Sequence, residues 1–189
     1  MKGMEESLLI RLRKGERKAM EELYDNYGSV LMGVIMRYCN CREEAEDLLH
    51  ESLLKILKGI NDFKPAFEGA FEAWMRRIAV NHTISSIRKK KDFQYLEGSL
   101  TNETFDIYED SGTESLPDLS HEQIIEMIQS LPEGYRMVLN LFVFEQMSHK
   151  EIAKELNISE NTSKSQLAKA RHLMKKKLVQ MLNLEEATR

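Results

Sequence analysis

Proline is scarce in this chain, at three residues, and glycine occurs nine times in 189. Strands are hard to find in a chain with so little turn punctuation, which argues against an all-β architecture. No stretch approaches the ~20 continuous apolar residues of a membrane-spanning helix, and the N-terminus carries no secretory apolar run. A cytoplasmic protein with no membrane insertion is therefore expected. Only two cysteines are present, Cys39 and Cys41. Their C-x-C spacing is one residue short of zinc and redox motifs, and a disulfide between them would be strained. Two reduced thiols are expected, with no metal and no cofactor. What the chain does have is apolar residues at helical spacing, which points to an all-α protein.

The net charge of −4 suits a nucleic-acid partner poorly until it is divided by segment. Residues 1–91 hold 17 basic and 14 acidic side chains, and residues 119–189 hold 10 and 9. Residues 92–118 hold eight acidic side chains and no basic one. This middle segment also contains Gly98, Gly112 and several serines and threonines without sustained periodicity. It is expected to be a flexible linker, spanning roughly 30 Å as a random coil. The organisation predicted is a helical domain over 1–91, an acidic linker over 92–118 and a second helical domain over 119–189. Either flanking domain is free to carry a basic face.

The second domain holds the most legible stretch, from Ser148 to Arg171. Ser148-x-x-Glu151 has the form of a capping box, in which serine and glutamate each satisfy the other's exposed amide. Ile152, Ala153 and Leu156 give a short helix one apolar side. Asn157-Ile158 turns the chain, and Ser159 is a second N-cap candidate. In the next helix Ser163, Leu167, Ala170 and Met174 share one side, while Asn161, Thr162, Ser165, Lys169 and His172 fall opposite, flanked by Lys164. A short helix, a tight turn and a polar, cationic second helix form the layout of a DNA-reading helix-turn-helix.

In the first domain, a helix from Met4 to Arg13 ends at Gly15. A longer one from Glu16 to about Tyr38 carries Met20, Leu23, Tyr24, Tyr27, Leu31, Val34, Ile35 and Tyr38 on one side. Asn40-x-x-Glu43 resembles another capping box. The following helix, from Cys41 to about Lys58, turns Ala45, Leu48, Leu49, Ser52, Leu53 and Ile56 inward. Its outer side holds Glu43, Asp47, His50, Glu51, Leu54 and Lys58. A large apolar residue projected from an acidic face has the pattern of an interface anchor with a charged rim. Asp47-x-x-His50 is also a metal-ligand spacing, but di-iron bundles need it twice with further inward carboxylates. Here its only counterpart is Asp118-x-x-His121.

A loop from Asn61 to Ala70 contains Phe63, Pro65, Phe67 and Gly69. The helix after it, from Phe71 to Lys91, has an inner stripe of Met75, Ala79, Val80, Thr83, Ile84 and Ile87. Trp74, Arg77, Asn81, Ser85 and Arg88 share its opposite side. Charge for phosphate and a ring for bases suit a nucleic acid. Trp74 packed against a neighbouring helix, with the basic run of Lys89, Lys90 and Lys91 capping the C-terminus, fits the same residues equally well.

Three stretches together resemble the extracytoplasmic-function (ECF) group of RNA polymerase sigma factors. Ala45-Glu46-Asp47-Leu48-Leu49-His50-Glu51 is similar to the family's A-E-D-x-x-Q-E polymerase-binding helix. Phe71-Glu72-Ala73-Trp74-Met75-Arg76-Arg77-Ile78-Ala79-Val80-Asn81 is similar to its promoter-melting helix, F-x-x-W-L-x-x-I-A-x-N. Leu131-Pro132 with Arg136, then Glu151-Ile152-Ala153, then Thr162-Ser163-Lys164-Ser165 and Ala170-Arg171, resembles its minus-thirty-five reader. The resemblance implies that Asp47, His50, Glu51, Leu54 and Lys55 dock on core RNA polymerase. It implies that Phe63, Phe67, Trp74, Arg77, Asn81 and Arg88 bind the minus-ten element, with an unstacked base received by the loop. Asn161, Thr162, Lys164, Ser165 and Lys169 would read the minus-thirty-five element of promoter DNA. An anti-sigma factor is a further implied partner, and no catalysis is implied.

The chain departs from the family pattern in places. His50 replaces glutamine, Ser85 stands where aspartate is common, and Glu72 where arginine is frequent. Ser163, Gln166 and Lys169 replace valine, arginine and arginine. Losing two arginines removes the bidentate fork that reads guanine. The alternative function is a stand-alone helix-turn-helix transcriptional regulator, which has no need of Asp47 to Lys55.

Overall fold

The computed structural model describes the backbone of residues 2–90 and 119–187 and the side chains of residues 5–89 and 119–181. The 92–118 segment expected as a linker lies outside the described residues. Eight α-helices and no strand occur among the described residues: α1 (Lys2–Arg13), α2 (Arg17–Met36), α3 (Arg42–Gly59), α4 (Ala70–Lys90), α5 (His121–Gln129), α6 (Glu133–Val143), α7 (His149–Leu156) and α8 (Glu160–Ala187). The chain falls into two compact units, α1–α4 within 1–92 and α5–α8 within 93–189.

In the first unit α2, α3 and α4 pack on one another and α1 packs on α2. Leu8, Leu12, Leu23, Leu31, Ile35, Leu48, Ile56, Phe71, Met75 and Ala79 form its core. Gly15 ends α1 with a φ of 72°. Its amide donates to the Leu12 carbonyl and that of Glu16 to the Arg11 carbonyl, a Schellman pattern that a left-handed glycine closes without strain. Arg13 then donates through Nη2 to the Phe63 carbonyl at 2.6 Å, tying the end of α1 to the loop after α3.

The inner stripes of α3 and α4 are buried as the apolar spacing requires, with Leu53 half-buried. Two local expectations are corrected. On α2, Met20 and Tyr24 are exposed, and Ala19 and Gly28 are buried instead. α1 packs on α2, and Ala19 and Leu23 share one core cluster with Leu8, Leu9 and Leu12 of α1. At α3 the N-cap is Cys41, extended at φ −142° and ψ 162° with no side-chain cap bond, rather than Asn40. Glu43 and Glu44 in the first turn offset the exposed amides there through the helix dipole.

In the second unit α6 and α7 pack on α8, and α5 reaches α8 as well. Met127, Ile128, Leu131, Met137, Val138, Leu141, Ile152, Leu156, Leu167 and Ala170 are buried there. Arg136 is buried too, at 2% exposure, and its Nη1 donates to the Gln129 carbonyl at 2.7 Å. The arginine of the Leu131-Pro132 motif thus closes the end of α5, where helical carbonyls lack partners.

Candidate polymerase and promoter interfaces

The outer side of α3 presents Asp47, His50, Glu51, Leu54 and Lys55, all exposed. Leu54 is 57% exposed, the largest value for an apolar side chain on this helix, while Ile56 two positions on is fully buried. The acidic rim is partly engaged: Glu51 Oε2 lies 2.8 Å from His82 Nε2 on α4. His82 was not singled out from the sequence, because it sits beside the inner stripe and its partner is 31 residues away. Glu51 and Lys55 also line a groove of about 580 Å³ together with Ile78, Asn81, His82, Ser85, Ser86 and Lys89. Residues assigned to polymerase docking and residues assigned to promoter contact therefore face one shared cleft.

On α4, Arg77, Asn81, Ser85 and Arg88 are exposed at steps of four, four and three, so they form one outward stripe. Trp74 does not join them as a free ring. It is half-buried, with its centroid 4.8 Å from that of Phe63 and 6.0 Å from that of Phe71. A Cβ at Gly59 would lie 3.2 Å from its Cζ2, so glycine at the end of α3 relieves a tight contact with the indole. Tyr27 extends the cluster edge-on to Phe71 at 5.6 Å. Its hydroxyl is pushed up to about 12 by burial and then by Glu5. Phe63 is 7% exposed and belongs to the core, whereas Phe67 is 67% exposed at the tip of the same loop. Of the two loop aromatics, only Phe67 offers a surface for a base to stack on.

In the second unit the local chemistry of the turn is as its residues dictate. Ser148 and Glu151 form a complete capping box at α7, and these bonds hold the Glu151 carboxyl below its ordinary range. Asn157 takes the left-handed conformation at φ 55° and ψ 48°, which asparagine tolerates better than most residues. Ser159 Oγ accepts from the Thr162 amide at 2.9 Å and so caps α8. The same oxygen lies 2.7 Å from Thr162 Oγ1, and Ser165 donates back to the Thr162 carbonyl at 3.0 Å. Asn161, Lys164 and Ser165 are exposed, while Thr162 and Lys169 are half-buried. Thr162 is thus engaged in capping before it meets any partner. A second capping box, Ser120 with Gln123 at α5, was not singled out from the sequence, although its S-x-x-Q spacing is the same signal. The recognition helix continues well past the helix-turn-helix: α8 runs unbroken to Ala187.

Among the described residues, no three His, Cys, Asp or Glu side chains could hold a metal ion. No described helix is long and apolar enough to cross a membrane.

Residues 23–93 match the family model Sigma-70 region 2, and residues 121–174 match Sigma-70, region 4. Together the two matches take in well over half of the chain. The RNA polymerase sigma-H factor of Pseudomonas aeruginosa is 26% identical, over 94% of this chain and 95% of that protein. The ECF RNA polymerase sigma factor SigW of Bacillus subtilis is 29% identical, over 94% and 98%. The ECF RNA polymerase sigma-E factor of Escherichia coli K12 is 28% identical, over 90% and 92%. The region 2 match contains α3 and α4 with the exposed Leu54 and the Asn81 stripe, and the region 4 match contains the capped helix-turn-helix. The chain belongs to the extracytoplasmic-function group of RNA polymerase sigma factors, initiation factors that direct the polymerase to promoters.

Proposed function

We propose that this protein binds core RNA polymerase through the outer side of α3 and places two DNA-reading surfaces on one promoter. Asp47, His50, Glu51, Leu54 and Lys55 form the docking face, with Leu54 as its anchor. Arg77, Asn81 and Arg88 on α4 meet the minus-ten element, and Phe67 at the loop tip stacks on an extruded base. Trp74 and Phe63 support that surface from beneath. Asn161, Lys164, Ser165 and Lys169 read the minus-thirty-five element from α8, and Thr162 holds the helix start. The protein performs no bond-making chemistry itself: it selects and opens the template on which the polymerase acts, in the cytoplasm. An anti-sigma factor would regulate it by competing for these faces.

One observation carries this reading: a 57%-exposed leucine on an acidic helix face in the same chain as a capped helix-turn-helix. A stand-alone regulator has use for the second feature only. Run-off transcription with purified bacterial core polymerase tests the proposal. Stimulation from a cognate promoter, together with core binding, is expected. Absence of both would overturn it. Asn81→Ala should impair promoter opening and leave core affinity unchanged, because the side chain lies on α4 and is exposed. Loss of core binding instead would place the docking face in the α3–α4 cleft.

A further inference from the structure

The helix-turn-helix contains a polar contact that apolar periodicity does not call for. Ser163 is fully buried on α8, at a position where the family pattern has valine. Its Oγ lies 2.9 Å from Nδ1 of His149, the first residue of α7. The His149 ring stacks on Phe142 near the end of α6, with centroids 4.9 Å apart and planes inclined at 26°. Arg171, further along α8, places its Cζ 5.6 Å from the centroid of the same Phe142 ring. One cluster of four side chains therefore joins α6, α7 and both ends of the DNA-reading segment of α8.

We propose that His149 and Ser163 act as a polar latch that sets the angle at which α8 is presented to the minus-thirty-five element. This rests on the sigma-factor reading above. Neither residue is a DNA contact: both are positioning residues. Apolar contacts through Leu167 and Ala170 hold α8 against the core, but they are non-directional and permit sliding. A hydrogen bond at Ser163 is directional, and it lies in the first turn of α8 between Thr162 and Lys164. A displacement there would carry Asn161, Lys164 and Ser165 with it. Burial, helped by Lys164 and Arg171 and opposed by Glu160, pushes the His149 imidazole below its ordinary value. The shift favours the neutral ring, and a neutral ring can accept at Nδ1 from the serine hydroxyl. The stack on Phe142 sets the plane of the imidazole, so the nitrogen is aimed rather than free to swing. Valine at 163 would fill the space but leave the ring nitrogen without this partner.

The test uses the full chain bound to core polymerase. Two promoters share a minus-ten element, and in one of them the minus-thirty-five element is scrambled. The intact promoter is first selected from a randomised library by the wild-type holoenzyme. His149→Phe keeps the stack and deletes the nitrogen, Ser163→Val installs the apolar residue, and His149→Asn returns a polar group near the Nδ1 position. Each apolar variant should lower the gain in transcription due to the intact upstream element by about tenfold, the effect of leaving one buried polar group unpaired. Core affinity and output from the scrambled promoter should not move. The double variant should be no worse than the worse single one, since both partners are then absent. His149→Asn should recover most of the loss. A latch of this kind is overturned if the upstream gain is unchanged, or if both promoters weaken equally with a matching loss of thermal stability and no recovery by asparagine. If the wild type itself stimulates neither promoter, the sigma-factor reading fails, and the latch falls with it for that separate reason.

Discussion

Truncating Leu54 separates docking from folding within one helix. The side chain is 57% exposed, so a partner that covers it would remove that remaining share from water. Complete burial of a leucine side chain is worth roughly 1.5–3 kcal/mol, so the share left for a partner is about 1–1.7 kcal/mol. Leu54→Ala should therefore weaken core-polymerase binding by roughly 5–20-fold. Its cost to folding should stay below about 1 kcal/mol, as for other exposed substitutions. Ile56→Ala on the same helix is the control: that side chain is fully buried, and its loss should cost about 2–5 kcal/mol of stability. Affinity is measured by fluorescence anisotropy of the labelled full chain titrated with core polymerase. Folding is followed by urea unfolding, with the emission of the sole tryptophan, Trp74 in the first unit, as the probe. Core affinity within twofold of wild type would refute the anchor. So would a loss of stability from Leu54→Ala as large as that from Ile56→Ala.

Three further outcomes are expected from the second unit. The His149 pKa is lowered in the folded protein, first by burial and then by Lys164, so the unfolded chain binds the extra proton as pH falls. Its contribution to stability is complete above the ordinary value of 6.5 and is lost as pH drops from there toward the folded pKa, a slope that His149→Phe should flatten in thermal melts by far-UV circular dichroism. Arg136→Met keeps the buried stem but deletes the bond to the Gln129 carbonyl, and should lower the stability of the α5–α8 unit by about 2 kcal/mol in urea unfolding followed by circular dichroism. Asn157→Ala should destabilise the same unit by about 1 kcal/mol in that assay, because alanine resists the left-handed conformation, and Asn157→Gly should be neutral or slightly stabilising.

The acidic composition of residues 92–118 shows why whole-chain charge misleads for this protein. Its eight acidic side chains account for the negative total, and the flanking parts are left near neutral. On the proposed reading, the exposed stripe of Arg77, Asn81 and Arg88 and the cations Lys164 and Lys169 need only modest charge. A reader tethered to polymerase gains effective concentration and does not have to bind DNA tightly alone.

The helices, the inner stripes of α3 and α4 and the turn at Asn157 were legible because their causes are local. A capping box spans four residues, an apolar stripe repeats within four, and a left-handed cap is one asparagine. Ser148 with Glu151, Ser159 beneath α8 and the inward face of α4 all follow from neighbours along the chain. The family itself was legible for the same reason, since its motifs are short and ordered.

Tertiary structure decided which way the ambiguous side chains turn and what they meet. Trp74 had equal claims to a DNA face and to packing, and in the fold it packs half-buried against Phe63 and Phe71. Phe63 and Phe67 occupy one loop, yet only the first is drawn into the core. Met20 and Tyr24 are left in water, while Ala19, Leu23 and Gly28 of the same helix are buried. The Glu51–His82 pair, the reach of Arg136 to Gln129 and the His149–Ser163 contact join residues 31, 7 and 14 positions apart. Such contacts depend on how helices cross, which is set by the summed burial of many side chains rather than by any local pattern.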